Sequence, residues 1–288
     1  MRDPSCGACI HYEEAAKHRQ TRTNPAPAKP PGGHSLIELD PAVGDAVDDA
    51  LALGQEGRTE AAMAAMQRLA REHPRDHLVC FGMGTLLEIS GRHEESIDWF
   101  ELAIEVCPDF AEAYYNKAVA HKNLRDIAAA IRCYRKVVEH GEPGEPEVEE
   151  SRSLLADLAE SIRRTEGIGL DTYLDSMDEF NRAVALMAEG RWEAAVDGFR
   201  AAIALNGRNA PSHGNLGLCH AYLGNKDLAL AELDRALDID PEYEPARANR
   251  KVVARMRDGE RLGSRNMEIL DFALEKLRML KKKGIRIS

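Results

Sequence analysis

Aromatic residues are scarce in this chain, at 5% of 288 residues, so a core built on large rings is excluded. Alanine-rich helices packed closely through small side chains suit such a composition better. Positive charge is also in the minority. The 38 Lys and Arg face 49 Asp and Glu, a formal net charge of −11. Without a basic face to neutralise phosphates, no nucleic-acid partner is expected. No stretch of 18 consecutive apolar residues occurs, so no membrane partner is expected either. Met1–Gln20 lacks an apolar core of signal-peptide length, and a cytoplasmic location is the expectation. Cysteines are few, and Cys80, Cys107, Cys133 and Cys219 show no paired spacing, as expected of reduced packing residues. Catalytic signatures are missing too: there is no GxxxxGK[ST], HExxH, GxSxG or kinase pattern. Neither an enzyme nor a cofactor is expected.

What the chain does contain is a repeated unit. Asn209–Glu242 reads as two short amphipathic helices joined at Gly224. Leu216, Gly217 and His220 share one face of the first helix; Ala229, Leu233 and Ala236 share one face of the second. Pro241 stops the pair, because proline cannot continue a helix. Such a pair cannot bury its apolar face alone, and it recurs. Stepping back by 34 gives Gly190, Ala195, Phe199 and Ala202. Copies ending at Pro108 and Pro74 carry Gly91, Ser96, Phe100 and Ala103, then Gly57, Ala62, Met66 and Leu69. A third N-terminal copy has Arg125, Ala130, Tyr134 and Val137, with arginine at the loop-glycine position.

A period of 34, small residues where helices touch, a loop glycine and a closing proline make the chain resemble the tetratricopeptide-repeat family over Val43–Glu142 and Ser176–Met256. That resemblance implies an all-α, right-handed superhelical solenoid of helix pairs with a C-terminal capping helix. It implies no reaction. The expected organisation is a flexible arm over 1–35, about three repeats over 36–143, and a linker with an extra helix over 144–174. Two repeats and one further helix follow over 175–258, then a capping helix and tail over 259–288. The extra helix spans Glu147–Thr165, with Val148, Ser151, Leu155, Leu158 and Ile162 at helical spacing. Whether this insert continues the array or interrupts it is open. The last helix, Arg265–Lys283, puts Ile269, Leu270, Ala273, Leu274, Leu277 and Leu280 on one side. Lys281–Lys283 falls in its final turn, where positive charge suits the helix dipole.

Three groups of residues carry functional expectations. Cys6 and Cys9, separated by two residues and followed by His11 and His18, either form a free dithiol or grip a metal such as zinc. His213 and His220, seven apart on one helix face, read as packing residues. In the family, the first helix of each repeat faces a concave groove. Asn116, Asn181, Asn215 and Asn249 occupy one recurring place there, resembling the asparagine ladder in the superhelix of O-GlcNAc transferase, whose catalytic half has no counterpart here. An amide both donates and accepts, so a ladder can hold a peptide backbone without reading its sequence. Phe81, Tyr115, Phe180, Leu218 and Tyr222 map to other groove positions and are expected to act as apolar anchors. The Lys/Asn clamp for chaperone C-terminal tails is absent: Phe81 and Thr85 stand where its first lysine and asparagine belong.

The expected function is therefore a non-catalytic scaffold holding an extended or helical segment of a protein or peptide partner. A metal- or redox-dependent adaptor using Cys6 and Cys9, or a self-association module, are the alternatives.

Overall fold

The computed structural model describes residues 41–263. The Cys6/Cys9/His11/His18 group, the proline-rich stretch over 21–33 and the helix expected over Arg265–Lys283 lie outside the described residues. Among those described, twelve α-helices and no strand are present. In chain order they are α1 (Pro41–Gln55), α2 (Thr59–Glu72), α3 (His77–Ile89), α4 (His93–Val106), α5 (Ala111–Asn123) and α6 (Ile127–His140). There follow α7 (Pro146–Glu166), α8 (Leu170–Ala188), α9 (Trp192–Leu205), α10 (Ala210–Tyr222), α11 (Lys226–Ile239) and α12 (Glu244–Ala254). The chain divides into two compact units between Asp157 and Leu158, within α7.

In the first unit α1 packs on α2, α3 on α4 and α5 on α6. In the second, α8 packs on α9 and α10 on α11, and α12 leans on both members of the last pair. The same three places of every pair are buried: Ala62, Met66 and Leu69; Ser96, Phe100 and Ala103; Ala130, Tyr134 and Val137; Ala195, Phe199 and Ala202; Ala229, Leu233 and Ala236. One large side chain per repeat is thus flanked by two residues, mostly small, that let the neighbouring helix approach. Gly217 shows how close the approach is. A Cβ there would lie 2.9 Å from Leu233 Cγ and 3.0 Å from the Ala229 carbonyl oxygen.

The loop between paired helices has one geometry throughout. The residue after the turn donates back to a carbonyl near the end of the preceding helix: Arg58 to Leu53, Arg92 to Leu87, Asp126 to His121, Arg191 to Leu186 and Asn225 to His220. This closure requires the left-handed region at the preceding residue. Gly57, Gly91, Gly190 and Gly224 supply it at φ between 73° and 83°, and Arg125 adopts it at φ 60°. A side chain bearing Cβ is strained there by about 1–2 kcal/mol. Part of that is offset because glycine is freer in the unfolded chain. Arg125→Gly should therefore stabilise the protein by about 0.5–1 kcal/mol, read as a higher thermal midpoint. An unchanged or lower midpoint would mean that the arginine side chain contributes more than the strain costs.

Helix α7 occupies the span expected of the extra helix. Its N-terminal part contributes Val148, Leu154 and Leu155 to the cluster around Tyr115, Tyr134 and Val137 in the first unit. Its end belongs to the second unit, where Asn206 donates to Glu166 (3.3 Å) and Arg208 to the Thr165 carbonyl (3.2 Å).

Candidate functional site

The first helices of the repeats carry all the expected groove residues, and the structure sorts these by accessibility. In the first unit they are packed away. Phe81 is 2% exposed, with its ring centroid 5.0 Å from Phe110 and 6.0 Å from Phe100. Tyr115 meets Tyr134 edge-on at 6.0 Å. Asn116 is buried and donates to Thr85 Oγ1 at 3.4 Å, so this amide links the first helices of consecutive repeats. Helix α3 is buried along its whole length from His77 to Glu88.

The second unit is more open. Asn181 is exposed, and Phe180 beside it is half-buried, edge-on to Phe199 at 5.7 Å. Tyr222 is half-buried and stacks flat on Trp192, with centroids 3.9 Å apart and planes within 5°. Leu218, Asn215 and Asn249, by contrast, are buried. Of the nine residues expected to meet a partner, Phe180, Asn181 and Tyr222 thus present surface. The others are held inside by neighbouring side chains, because a face that the periodicity assigns to the groove also meets the adjacent repeat.

A polar cluster in the first unit escaped the sequence reading. Glu88, at the end of α3, is 5% exposed. Its Oε1 lies 2.9 Å from His93 Nδ1 and accepts from Asn123 Nδ2 at 2.7 Å, while Oε2 accepts from Ser96 Oγ at 2.9 Å. A glutamate at a helix end reads as solvated, and no spacing rule announces three partners on two other helices.

In the second unit α10 holds the two histidines. His213 Nδ1 is 2.7 Å from Glu232 Oε2. His220 is buried, and its Nδ1 has no hydrogen-bond partner among the described residues. Burial, with help from the Arg200 guanidinium and against the pull of Glu232, holds the His220 pKa below its ordinary 6.5. Below about that pH the unfolded chain takes up a proton that the folded one resists, so stability present near neutrality is lost as pH falls. The thermal midpoint of the wild type should drop between pH 7.5 and 5.5 more steeply than that of His220→Gln. Equal slopes would remove His220 as the cause.

Three of the described thiols are held in the protonated form by their surroundings. Burial is the leading cause that pushes Cys80, Cys107 and Cys133 up to about 11. No group of three or more His, Cys, Asp or Glu residues fit to hold a metal ion occurs among the described residues. No described helix is long and apolar enough to cross a membrane.

Comparison with known proteins accords with this geometry. Tetratricopeptide-repeat models match residues 180–244 and 111–139, and a TPR-repeat model matches residues 87–124. The chain is a tetratricopeptide-repeat protein. Each of its two units is all-α among the described residues and built of TPR helix pairs. Protein FlbA of Caulobacter vibrioides is 28% identical over 158 residues, 54% of this TPR chain and 22% of FlbA. The probable UDP-N-acetylglucosamine–peptide N-acetylglucosaminyltransferase SPINDLY of Oryza sativa subsp. japonica is 36% identical over 59 residues, 20% of this chain and 6% of that protein. The TPR chain thus matches less than a quarter of the length of either curated relative. Among solved structures, the TPR domain of P58(IPK) is 18% identical, with TM-score 0.39 over 84% of this chain and 69% of that one. YrrB, a TPR protein with an unusual peptide-binding site, is 21% identical, with TM-score 0.31 over 65% of this chain and 98% of its own.

Proposed function

We propose that this TPR protein is a non-catalytic interaction scaffold that holds an extended or helical segment of a protein partner against the first helices of its second unit. The observation that carries the reading is the accessible trio Phe180, Asn181 and Tyr222 on α8 and α10. Stacked repeats use such faces as extended binding surfaces. Two rigid aromatics supply contact area at low entropic cost, and an exposed amide offers both a donor and an acceptor to a peptide backbone. The packing of Phe180 on Phe199 and of Tyr222 on Trp192 fixes both rings before a ligand arrives, which lowers the ordering cost of binding.

In this reading the buried ladder members Asn215 and Asn249 hold the first helices of the second unit in register, and Leu218 forms the wall behind the groove; Asn116, in the first unit, is taken up by Thr85. The partner is a protein or peptide other than a chaperone C-terminal tail, since the clamp residues are not in place. The N-acetylglucosaminyltransferase named among the relatives lends no activity, because the match spans 6% of that protein.

The test is selection of a displayed random peptide library on the full chain, followed by titration of a selected peptide by fluorescence polarisation. Phe180→Ala should weaken binding at least tenfold and Asn181→Ala several-fold, with far-UV circular dichroism unchanged. A peptide that binds both variants as tightly as the wild type would place the binding surface elsewhere.

A further inference from the structure

The first and last described helices carry charge where the helices between them carry packing residues. Helix α1 stands one step of 34 before α3. In α3, Val79, Gly82, Met83 and Leu86 are buried. A Cβ on Gly82 would meet Val47 and Met66 within 3 Å, and one on Gly54 would lie 2.6 Å from Leu86 Cδ1. This face of α3 therefore packs on the repeat before it. The matching residues of α1 are Asp45, Asp48, Asp49 and Ala52, of which Asp45, Asp49 and Ala52 are exposed. No described repeat precedes them.

Helix α12 is the opposite case. In α10, Gly217 meets Leu233 and Ala229 of α11, and His220, on the same face, is buried. One step of 34 later stand Lys251 and Ala254, both exposed, followed by the exposed Arg255. No second helix is described beyond α12 to cover them. Arg247 pairs with Glu242 and Glu244, and Arg250 with Asp234. Lys251 and Arg255 have no such partner among the described residues.

We infer that this open face of α12 receives α1 of a second copy of the chain, so that molecules associate head to tail. Charge complementarity names the occupant. Helix α1 has three aspartates and no Lys or Arg. Helix α12, with its C-cap Arg255, has Arg247, Arg250, Lys251 and Arg255 against Glu244 alone. So basic a helix stands out in a chain whose formal net charge is −11. Spacing agrees as well. Asp45 and Asp49 are four apart, as are Lys251 and Arg255, so each pair lines one helix face and both ion pairs form at once. Ala52 and Ala254, small and exposed beside the charges, let the two helices approach. The contact is heterologous: every added copy leaves one α1 face and one α12 face free, so species larger than a dimer form. Exposed ion pairs are individually weak and screened by salt, so assembly depends on concentration and ionic strength. Neither face includes Phe180, Asn181 or Tyr222, and the contact stands or falls apart from the groove reading above.

The experiment is sedimentation velocity of the full chain over rising concentration. Four proteins are compared: wild type, Asp45→Lys/Asp49→Lys, Lys251→Glu/Arg255→Glu, and the chain carrying all four substitutions. The wild type should grow beyond a dimer at about 50 mM salt and return to the monomer at about 500 mM, where the screening length falls to about 4 Å. Each double variant should stay monomeric at least tenfold above the concentration at which the wild type associates, with unchanged far-UV circular dichroism. The fourfold variant should regain association, because its charges are exchanged between the faces rather than lost. A wild type that is monomeric throughout, that stops at a dimer, or that ignores salt would overturn the inference without reference to any variant. So would double variants that assemble like the wild type, or a fourfold variant that stays monomeric.

Discussion

Phe199→Ala is expected to destabilise the protein by about 3–5 kcal/mol, the cost of truncating a fully buried aromatic in a site that cannot collapse. Phe199 is 0% exposed and stands at the centre of the second unit's core with Leu216, Leu218 and Met187. Collapse is opposed where α8 meets α9. Ala183 and Ala195 already bring α8 and α9 close, and a Cβ on Gly198 would lie 2.9 Å from the Ala183 methyl. The helices therefore cannot move inward to fill the void. The loss also removes the ring that Phe180 leans on, so the accessible aromatic loses its support. Thermal unfolding followed by circular dichroism, with Trp192 emission in a Trp99→Phe background, measures the effect within the unit that carries the change. A loss under about 1 kcal/mol would mean that the core is loosely packed, contrary to the burial seen here.

Gly217→Leu is expected to cost about 1–3 kcal/mol by overpacking. The mechanism is opposite to that of Phe199→Ala, but the cause is the same rigidity. One of the two atoms that a new Cβ would strike, the Ala229 carbonyl oxygen at 3.0 Å, belongs to backbone and cannot rotate away. Leu233 Cγ, at 2.9 Å, has no free space to swing into because Leu233 is itself fully buried. The two paired helices must then separate, and that exposes Ala229 and Ala236. An unchanged thermal midpoint would show that the contact between α10 and α11 is looser than its geometry.

The repeat register was legible in the sequence because burial within a stacked pair follows spacing alone. Ala229, Leu233 and Ala236 lead by one step of 34 to buried positions, as Ser96, Phe100 and Ala103 do by one step in either direction, and Gly91 leads to Arg125 even though the residue there is not glycine. Backbone geometry was inherited from the period where side-chain chemistry disagreed. The extra helix was legible for the same reason, since its stripe needed only neighbours within one helix.

The groove was less legible. Periodicity tells which way Phe81, Tyr115, Asn215 or Leu218 points from its helix axis, but not how much of the next helix lies over it. Burial on that side depends on how closely consecutive repeats stack, and small residues such as Gly82, whose added Cβ would meet Val47 and Met66 within 3 Å, decide that distance. Glu88 was invisible for a related reason. Its partners are spread over α4 and α5, and a lone carboxylate in sequence carries no sign that it will be enclosed.

Glu88 bears on whether these repeats are interchangeable parts. Its carboxylate is shared between its own repeat, through His93 and Ser96, and the following one, through Asn123. A stack joined only by apolar contact tolerates shuffling, since any well-shaped neighbour will do. A repeat whose buried carboxylate takes one of its three partners from the next cannot be excised or reordered without leaving that carboxylate short of a donor. The order of the second and third repeats is thus written into their chemistry, and a chimera assembled from generic units would have to replace the glutamate and asparagine together.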